Sequence, residues 1–361
     1  MKPTQALHDL GQSLWLDNIT RDMLRDGTLA RYIDELSVTG LTSNPTIFDK
    51  AITGGDSYDA QISELTEQGL EPEEIFFALA LQDLQGAADL FRSVHEETDG
   101  EDGFVSMEVS PLLADDAQAT IEQAKKLHEQ GARDNLFIKI PGTEAGRTAI
   151  EESIYAGIPI NVTLLFSTDQ YLAAADAYMR GIERRIADGL DPGVRSVASL
   201  FMSRWDVAVS DEVPDELRNQ LGVAVGRHAY RAYRELLESD RYNKLASDGG
   251  WRQRLLFAST GTKDPDASDV LYIEALAAPD TIDTMPDKTL LALADHGEVG
   301  DPIPDDGGNA DELLAKFQDA GIDTDALAAR LQEEGKESFN KSWHDLLESI
   351  QSESRRLATT G

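Results

Sequence analysis

NLFIKIPGTEAGRTAIEESIYAGIPINVTLLF, residues 135–166, sets two short apolar runs on either side of a segment with helical period. NLFIKIPG (135–142) reads as a strand. A helix runs from about Glu144 and is closed by Gly157, a residue suited to a left-handed C-cap. IPINVTLLF (158–166) is the next strand. Strand, helix and strand at this spacing imply parallel neighbours, because parallel strands need a crossover.

The same alternation extends both ways. Toward the N-terminus, LWLDNI (14–19), SVTGLTSN (37–44) and FVSMEVSP (104–111) read as strands. TRDMLRDGTLARYIDEL (20–36) sets Met23, Leu24, Ile33 and Leu36 among charges as a surface helix does. A long helix starts at Pro72, and another runs from Asp115 or Asp116 to Gly131. Toward the C-terminus, Ser167 and Gln170 form a capping box. SVASLFMSRW (196–205) and RLLFASTGT (254–262) are strands, TIDTMP (281–286) is a weak eighth, and 214–238 is a long helix entered at Pro214. Seven or eight units over about 290 residues predict an α/β fold, a closed (β/α)8 TIM barrel with additional N- and C-terminal helices. A Rossmann sheet would need G-x-G-x-x-G after its first strand, and the chain has no such string. After Gly297 the composition shifts to GEVGDPIPDDGGNADE, followed by helices near 311–332 and 336–356. The expected division is a barrel over 1–300 and a helical extension over 301–361 packed on it.

Across 361 residues, 67 acidic side chains outnumber 32 basic ones and leave a net charge of −35. That field argues against nucleic acid as a partner, since binding it needs clustered cations. A hydrophobic content of 41% excludes wholesale disorder. No long run is free of charges, so no membrane span is expected, and the N-terminus lacks a signal-peptide pattern, which makes the cytoplasm the default. Zero cysteines exclude disulfides, thiolate metal sites and cysteine nucleophiles. Only 11 residues are Lys, so a lysine in an apolar setting stands out.

Barrel enzymes carry catalysis at the C-terminal ends of strands. Polar residues there are Asp17, Asn44, Glu108, Lys139, Thr163, Ser199 with Arg204, and Ser259 with Lys263. In LFIKIP, Leu136, Ile138 and Ile140 face the helices, whereas Phe137 and Lys139 face into the barrel. An ammonium there loses hydration, which favours the neutral amine that attacks a carbonyl and forms a Schiff base. An edge-strand lysine snorkelling to water is the alternative, and a place mid-series speaks against an edge. Glu108 interrupts an apolar run and needs a paired charge, which Lys139 supplies whether the pair is catalytic or structural. Asp17 could instead cap the helix that follows, and Asn44 before Pro45 could be a turn residue. Thr163 and Asn161 share a strand face, as catalytic groups or as satisfied core polars. Arg204 and Lys263 could bind a phosphate, or could pair with Asp206 and Asp264. The six histidines are scattered without metal-ligand spacing, so no metal is expected.

LTSNPTIFDKAI (41–52), VSMEVSPLL (105–113), NLFIKIPGTEAG (135–146), IPINVTLLFS (158–167), VASLFMSRWD (197–206) and FASTGTKDP (257–265) resemble the transaldolases in order and spacing over roughly residues 12–300. The long tail resembles the bacterial subgroup with extended chains. The resemblance implies that Lys139 is the Schiff-base lysine and Asp17 the acid/base at the donor C4 hydroxyl. It implies that Glu108 and Thr163 position a water for making and hydrolysing the imine, and that Asn44 and Asn161 bind donor hydroxyls. Ser199 and Arg204 match phosphate ligands, with Phe201 lining the pocket. Leu200 and Lys263 depart from the proline and arginine of many relatives, and a lysine offers a point charge in place of a fork. The implied activity moves a dihydroxyacetone unit between sugar phosphates without cofactor or metal, in a monomer or homodimer. A class I aldolase releasing dihydroxyacetone or its phosphate, and a non-catalytic sugar-phosphate-binding barrel, are the alternatives.

Overall fold

Each apolar run becomes a parallel strand in a computed structural model that describes residues 2–360. The strands are β1 (Ser13–Asp17), β2 (Val38–Thr42), β3 (Val105–Glu108), β4 (Leu136–Pro141), β5 (Ile160–Leu165), β6 (Ser196–Phe201), β7 (Gln253–Ala258) and β8 (Ile282–Met285). Their bonded order is β2-β1-β8-β7-β6-β5-β4-β3. The ring closes where Leu41 N donates to Phe104 O and Gly103 N donates to Thr39 O, each at 2.9 Å. That seam requires Gly40, because a Cβ there would stand 2.6 Å from the Trp15 ring and 2.7 Å from Phe104 O. The result is a closed (β/α)8 barrel with further helices.

The lower half of the ring is filled by aromatic rings. Phe104 stacks on Phe137 with centroids 4.0 Å apart, Trp15 lies 6.1 Å from Phe137, and Trp15 Nε1 donates to Asp102 at 2.8 Å. The interior is therefore a packed core at its N-terminal end, and polar inward residues gather at the C-terminal end.

Several segments differ from the sequence reading, each for a local reason. The single helix expected over 20–36 is two, Arg21–Arg25 and Thr28–Leu36, separated by Gly27 at φ +80°. The expected helix 214–238 is a 3₁₀ turn at Asp215–Leu217 and a helix over Leu221–Glu238. Asn219 at φ +61° interrupts it, and the Asp206 carboxylate caps the second piece by accepting from Leu221 N and Gly222 N. The strand expected over 196–205 stops at Phe201, and a helix over Ser203–Val209 carries Arg204. Beyond the barrel, helices cover Ala310–Asp319 and Thr324–Thr360, so the break falls at Gly321 and the chain stays helical through 333–335. Gly335 sits where a Cβ would be 3.0 Å from Leu164 Cδ2, so its lack of a side chain lets this helix approach the barrel. An N-terminal helix, Pro3–Leu10, precedes β1.

The Thr324–Thr360 helix rests on the Pro45–Thr53 and Pro72–Leu90 helices at one side and on β5 at the other. Trp343 is its anchor, fully buried with ring centroids 5.0 Å from Phe76 and 5.6 Å from Phe77. At the β5 end, Gln332 Nε2 donates to Leu164 O at 2.9 Å. Leu164 has φ +57°, and the β5–β6 register shifts between Val162 and Leu165, which marks a bulge. The amide of Gln332 thus satisfies a carbonyl that the bulge turns out of the ladder.

Candidate active site

Neighbouring strands put Glu108 opposite Lys139, Lys139 opposite Asn161, and Pro141 opposite Thr163. Side chains at these positions point into the ring, so a carboxylate, an amine, an amide and a hydroxyl meet within two strand spacings. Lys139 Nζ lies 3.1 Å from Glu108 Oε1 and donates to Ser43 O at 2.9 Å. Lys139 is 5% exposed and Glu108 7%, so the pair is shielded from bulk water. Burial raises the pKa of Glu108, against the opposing pull of Lys139. The Thr163 hydroxyl is buried without a hydrogen-bond partner, and beside it lies a space of about 10 Å³ lined in part by Glu108 and Thr163, the size of one water.

Asp17 ends β1 and does not cap the next helix; Thr20 does, accepting from Met23 N at 3.1 Å. Thr42 donates to Asp17 Oδ1 at 2.8 Å, and the Thr42 and Thr284 hydroxyls are 2.8 Å apart. Thr42 has one proton and gives it to Asp17, so Thr284 donates to Thr42. Burial raises the pKa of Asp17, with Lys139, Thr42 and Lys263 acting to lower it. The two threonines were not singled out in the sequence. Their roles depend on β1, β2 and β8 being adjacent, although Thr42 and Thr284 are 242 residues apart in the chain.

Asn44 caps the Pro45–Thr53 helix through its Oδ1, which accepts from Ile47 N at 3.1 Å, and also faces the cavity. The turn reading and the binding reading are therefore compatible. Asn161 is fully buried, donating to Ser106 Oγ at 3.1 Å and accepting from Ser199 Oγ at 2.8 Å. Its amide lies beneath the cavity rather than in its lining, and Ser199 spends its proton on it.

The cavity has a volume of about 650 Å³. Asp17, Asn44, Lys139, Thr163, Ser199, Phe201, Arg204 and Lys263 line it, with Glu108 and Asn161 behind them. The C-terminal helix contributes Ser338, Phe339 and Ser342 to its wall, which sequence periodicity alone does not indicate. Five cationic side chains face the cavity (Lys50, Lys139, Arg204, Lys263, Lys288) against the carboxylates of Asp17 and Asp287, a local reversal of the overall charge.

Arg204 and Lys263 have no ion pair among the described residues. The candidate carboxylates are occupied. Asp206 accepts from Leu221 N, Gly222 N and the Tyr272 hydroxyl, and Asp264 accepts from Asn219 at 2.7 Å. The Arg204 guanidinium stands 5.7 Å from the Phe201 ring centroid. Such an arrangement can bind an anion at one end, hold hydroxyls at the other, and move protons about an amine between them.

Comparison with known proteins supports this chemistry. Residues 14–350 match the family model described as transaldolase/fructose-6-phosphate aldolase. The chain is 42% identical to a protein named transaldolase in Saccharopolyspora erythraea, over 96% of each chain. It is 43% identical to transaldolase 2 of Streptomyces coelicolor, over 98% of each. It is 44% identical to the transaldolase of Thiobacillus denitrificans, covering 97% of this chain and 100% of that one.

Proposed function

The chain belongs to the transaldolase/fructose-6-phosphate aldolase family, and from that premise we propose that it transfers a dihydroxyacetone unit from sedoheptulose 7-phosphate or fructose 6-phosphate to glyceraldehyde 3-phosphate or erythrose 4-phosphate. This is a reaction of the non-oxidative pentose phosphate pathway. Lys139 is the nucleophile. It must shed a proton before attacking C2, and Glu108, 3.1 Å away and held proton-hungry by burial, accepts it. Addition gives a carbinolamine. Water leaves between Glu108 and Thr163, and the product is a protonated imine.

The imine draws electrons from the C3–C4 bond. Asp17 removes the C4 hydroxyl proton, that oxygen becomes the aldehyde of the departing aldose phosphate, and the bonding pair passes to the imine as an enamine. The enamine carbon then attacks the acceptor aldehyde, Asp17 returns the proton, and water hydrolyses the new imine. Thr42 and Thr284 hold Asp17 in place through both halves.

Arg204 and Lys263 take the phosphate of donor and acceptor in turn, with Phe201 as the wall beneath. Asn44 and Ser199 hold donor hydroxyls. Ser199 offers lone pairs, because its proton is engaged by Asn161, and lone pairs suit a sugar hydroxyl better than a phosphate oxygen. Asn161 acts through Ser199. No described helix is long and apolar enough to cross a membrane; phosphorylated sugar substrates support the reading that the enzyme works in the cytoplasm.

The observation that supports this reading is a shielded amine–carboxylate pair at the base of a cavity whose rim cations have no ion pair among the described residues. Borohydride added with fructose 6-phosphate is expected to leave a dihydroxyacetone-derived mass on Lys139. Inactivation with no adduct at Lys139 refutes the scheme. Product formation that requires an aldose acceptor marks transfer, whereas release of free dihydroxyacetone without one marks an aldolase.

A further inference from the structure

Asp283 lies on β8 one residue before Thr284, on the opposite face of the strand, and takes no part in the chemistry above. It is 0% exposed, and no cation stands within ion-pair distance of it among the described residues. Its Oδ2 has no hydrogen-bond partner among the described residues. Its Oδ1 lies 2.9 Å from Thr260 Oγ1, and the same Thr260 oxygen lies 2.8 Å from Thr284 O. A hydroxyl has one proton to give and a main-chain carbonyl can only accept, so both contacts are hydrogen bonds only if the Thr260 proton goes to Thr284 O. The contact between Thr260 and Asp283 then needs a proton from Asp283.

We propose that Asp283 is an un-ionised carboxylic acid whose O–H donates to Thr260 and so fixes the loop that carries Lys263 to the phosphate end of the cavity. The second half rests on the assignment of Lys263 made above; the first does not. Burial supports it. A carboxylate here would lose its hydration with no counter-charge, whereas a neutral acid loses far less. The paired residues on the adjoining strands, Leu14 and Phe257, are apolar. On the helix that follows, Asp287, Lys288, Asp295 and His296 are all at least partly exposed. Burial holds the pKa of Asp283 well above the usual carboxylate range.

The loop has reason to need such a tie. Ser259, at φ +56°, is a left-handed non-glycine residue between β7 and Thr260. One anchor holds it from the Arg204 side, where Ser203 N donates to Ser259 O at 3.0 Å and the two hydroxyls are 2.9 Å apart. Thr260, fully buried, is the anchor on the β8 side. Ser259 and Lys263, on either side of Thr260 in the loop, both face the cavity.

The first half is tested by urea unfolding of the full chain and of Asp283→Asn across pH. An acid with a raised folded pKa keeps its proton when the unfolded chain has released its own, so its contribution to stability declines as pH rises above the unfolded value near 4. The folding constant of the wild type, taken relative to Asp283→Asn, is expected to fall as pH rises above about 5, by up to about tenfold per pH unit. Parallel profiles mean the group is ionised when folded, and overturn the proposal. The second half is tested by kinetics. Thr260→Val and Asp283→Leu are expected to raise KM for phosphorylated donors roughly tenfold while Lys139 still forms its borohydride adduct, and Asp283→Asn, with an N–H in the same place, restores KM. An unchanged KM in Thr260→Val overturns the positioning role even if Asp283→Leu fails to fold. Absence of the Lys139 adduct in the wild type refutes the transfer reaction and leaves the pH slope to stand or fall by itself.

Discussion

The base of the cavity and its rim treat charge in opposite ways. At the base, Lys139 has Glu108 and the Ser43 carbonyl, and Asp17 has Thr42 with Thr284 behind it. At the rim, Arg204, Lys263, Lys50 and Lys288 face the cavity with no ion pair among the described residues, in a chain with 67 carboxylates. Groups that pass protons to one another must be held in mutual register, and each compensates the other's burial. Groups that bind an anion must be kept from the protein's own anions. At the rim the acids next to them in sequence are engaged elsewhere: Asp206 caps a helix and Asp264 is held by Asn219. In the proposed function the substrate's phosphate is the counter-charge of the rim, drawn by the local cations against the net charge of −35.

Removing the nucleophile breaks the base most completely. Lys139→Met is expected to lose roughly 10⁴-fold or more in turnover and all borohydride trapping, while fructose 6-phosphate still binds at the rim in calorimetry. Asp17→Ala is expected to cost about 10²- to 10⁴-fold in turnover and to keep the Lys139 adduct, because imine formation precedes its step. The pH profile adds a directional check. In the proposed mechanism Glu108 and Asp17 act as bases and must be ionised, and burial raises both pKa values, so the acid limb of kcat/KM is expected above the ordinary carboxylate range near 4. An acid limb at or below that value removes both groups from the role of base.

How far these features could be read from the sequence follows the same division. The strands of the base are locally encoded. LFIKIP and INVTLL alternate inward and outward within one short segment, which is enough to turn Lys139 into the ring and bring Asn161 and Thr163 beside it. The Ser167–Gln170 capping box is equally local, and both of its hydrogen bonds form. What could not be read depends on distant neighbours. Thr284 joins Asp17 only because β8 lies beside β1. The helix expected over 214–238 breaks because Asp206, on another helix, caps Leu221 and Gly222. Gly335 reads locally as a helix stop, yet the helix continues through it and uses the missing side chain to approach Leu164.

At the rim, Arg204→Ala is expected to raise KM for phosphorylated substrates about 10- to 100-fold, the loss of one or two charge-assisted bonds, and to leave unphosphorylated dihydroxyacetone donors nearly unaffected. The effect should shrink as salt rises, since rim charges are screened more than a shielded pair. Equal losses for both donor types would make Arg204 a structural residue and dissolve the distinction between rim and base.

The smallest effect belongs to the hydrogen bond by which the tail reaches β5. Gln332 donates to Leu164 O at 2.9 Å, and Leu164 follows Thr163 in a bulge held at φ +57°. A bulge re-aims the residue beside it, so the amide that satisfies the bulge carbonyl also steadies the Thr163 hydroxyl. Gln332→Leu leaves that carbonyl unpaired at a cost of about 1 kcal/mol in stability, and imine formation in single-turnover borohydride trapping is expected to slow by at most about fivefold. KM for the phosphate should not move, because Arg204 and Lys263 lie on other elements. Gln332→Glu, which sets a carboxylate against the same carbonyl, is expected to cost more than Leu. Equal and negligible effects of both would mean that the C-terminal helix covers the cavity without helping to shape its chemistry.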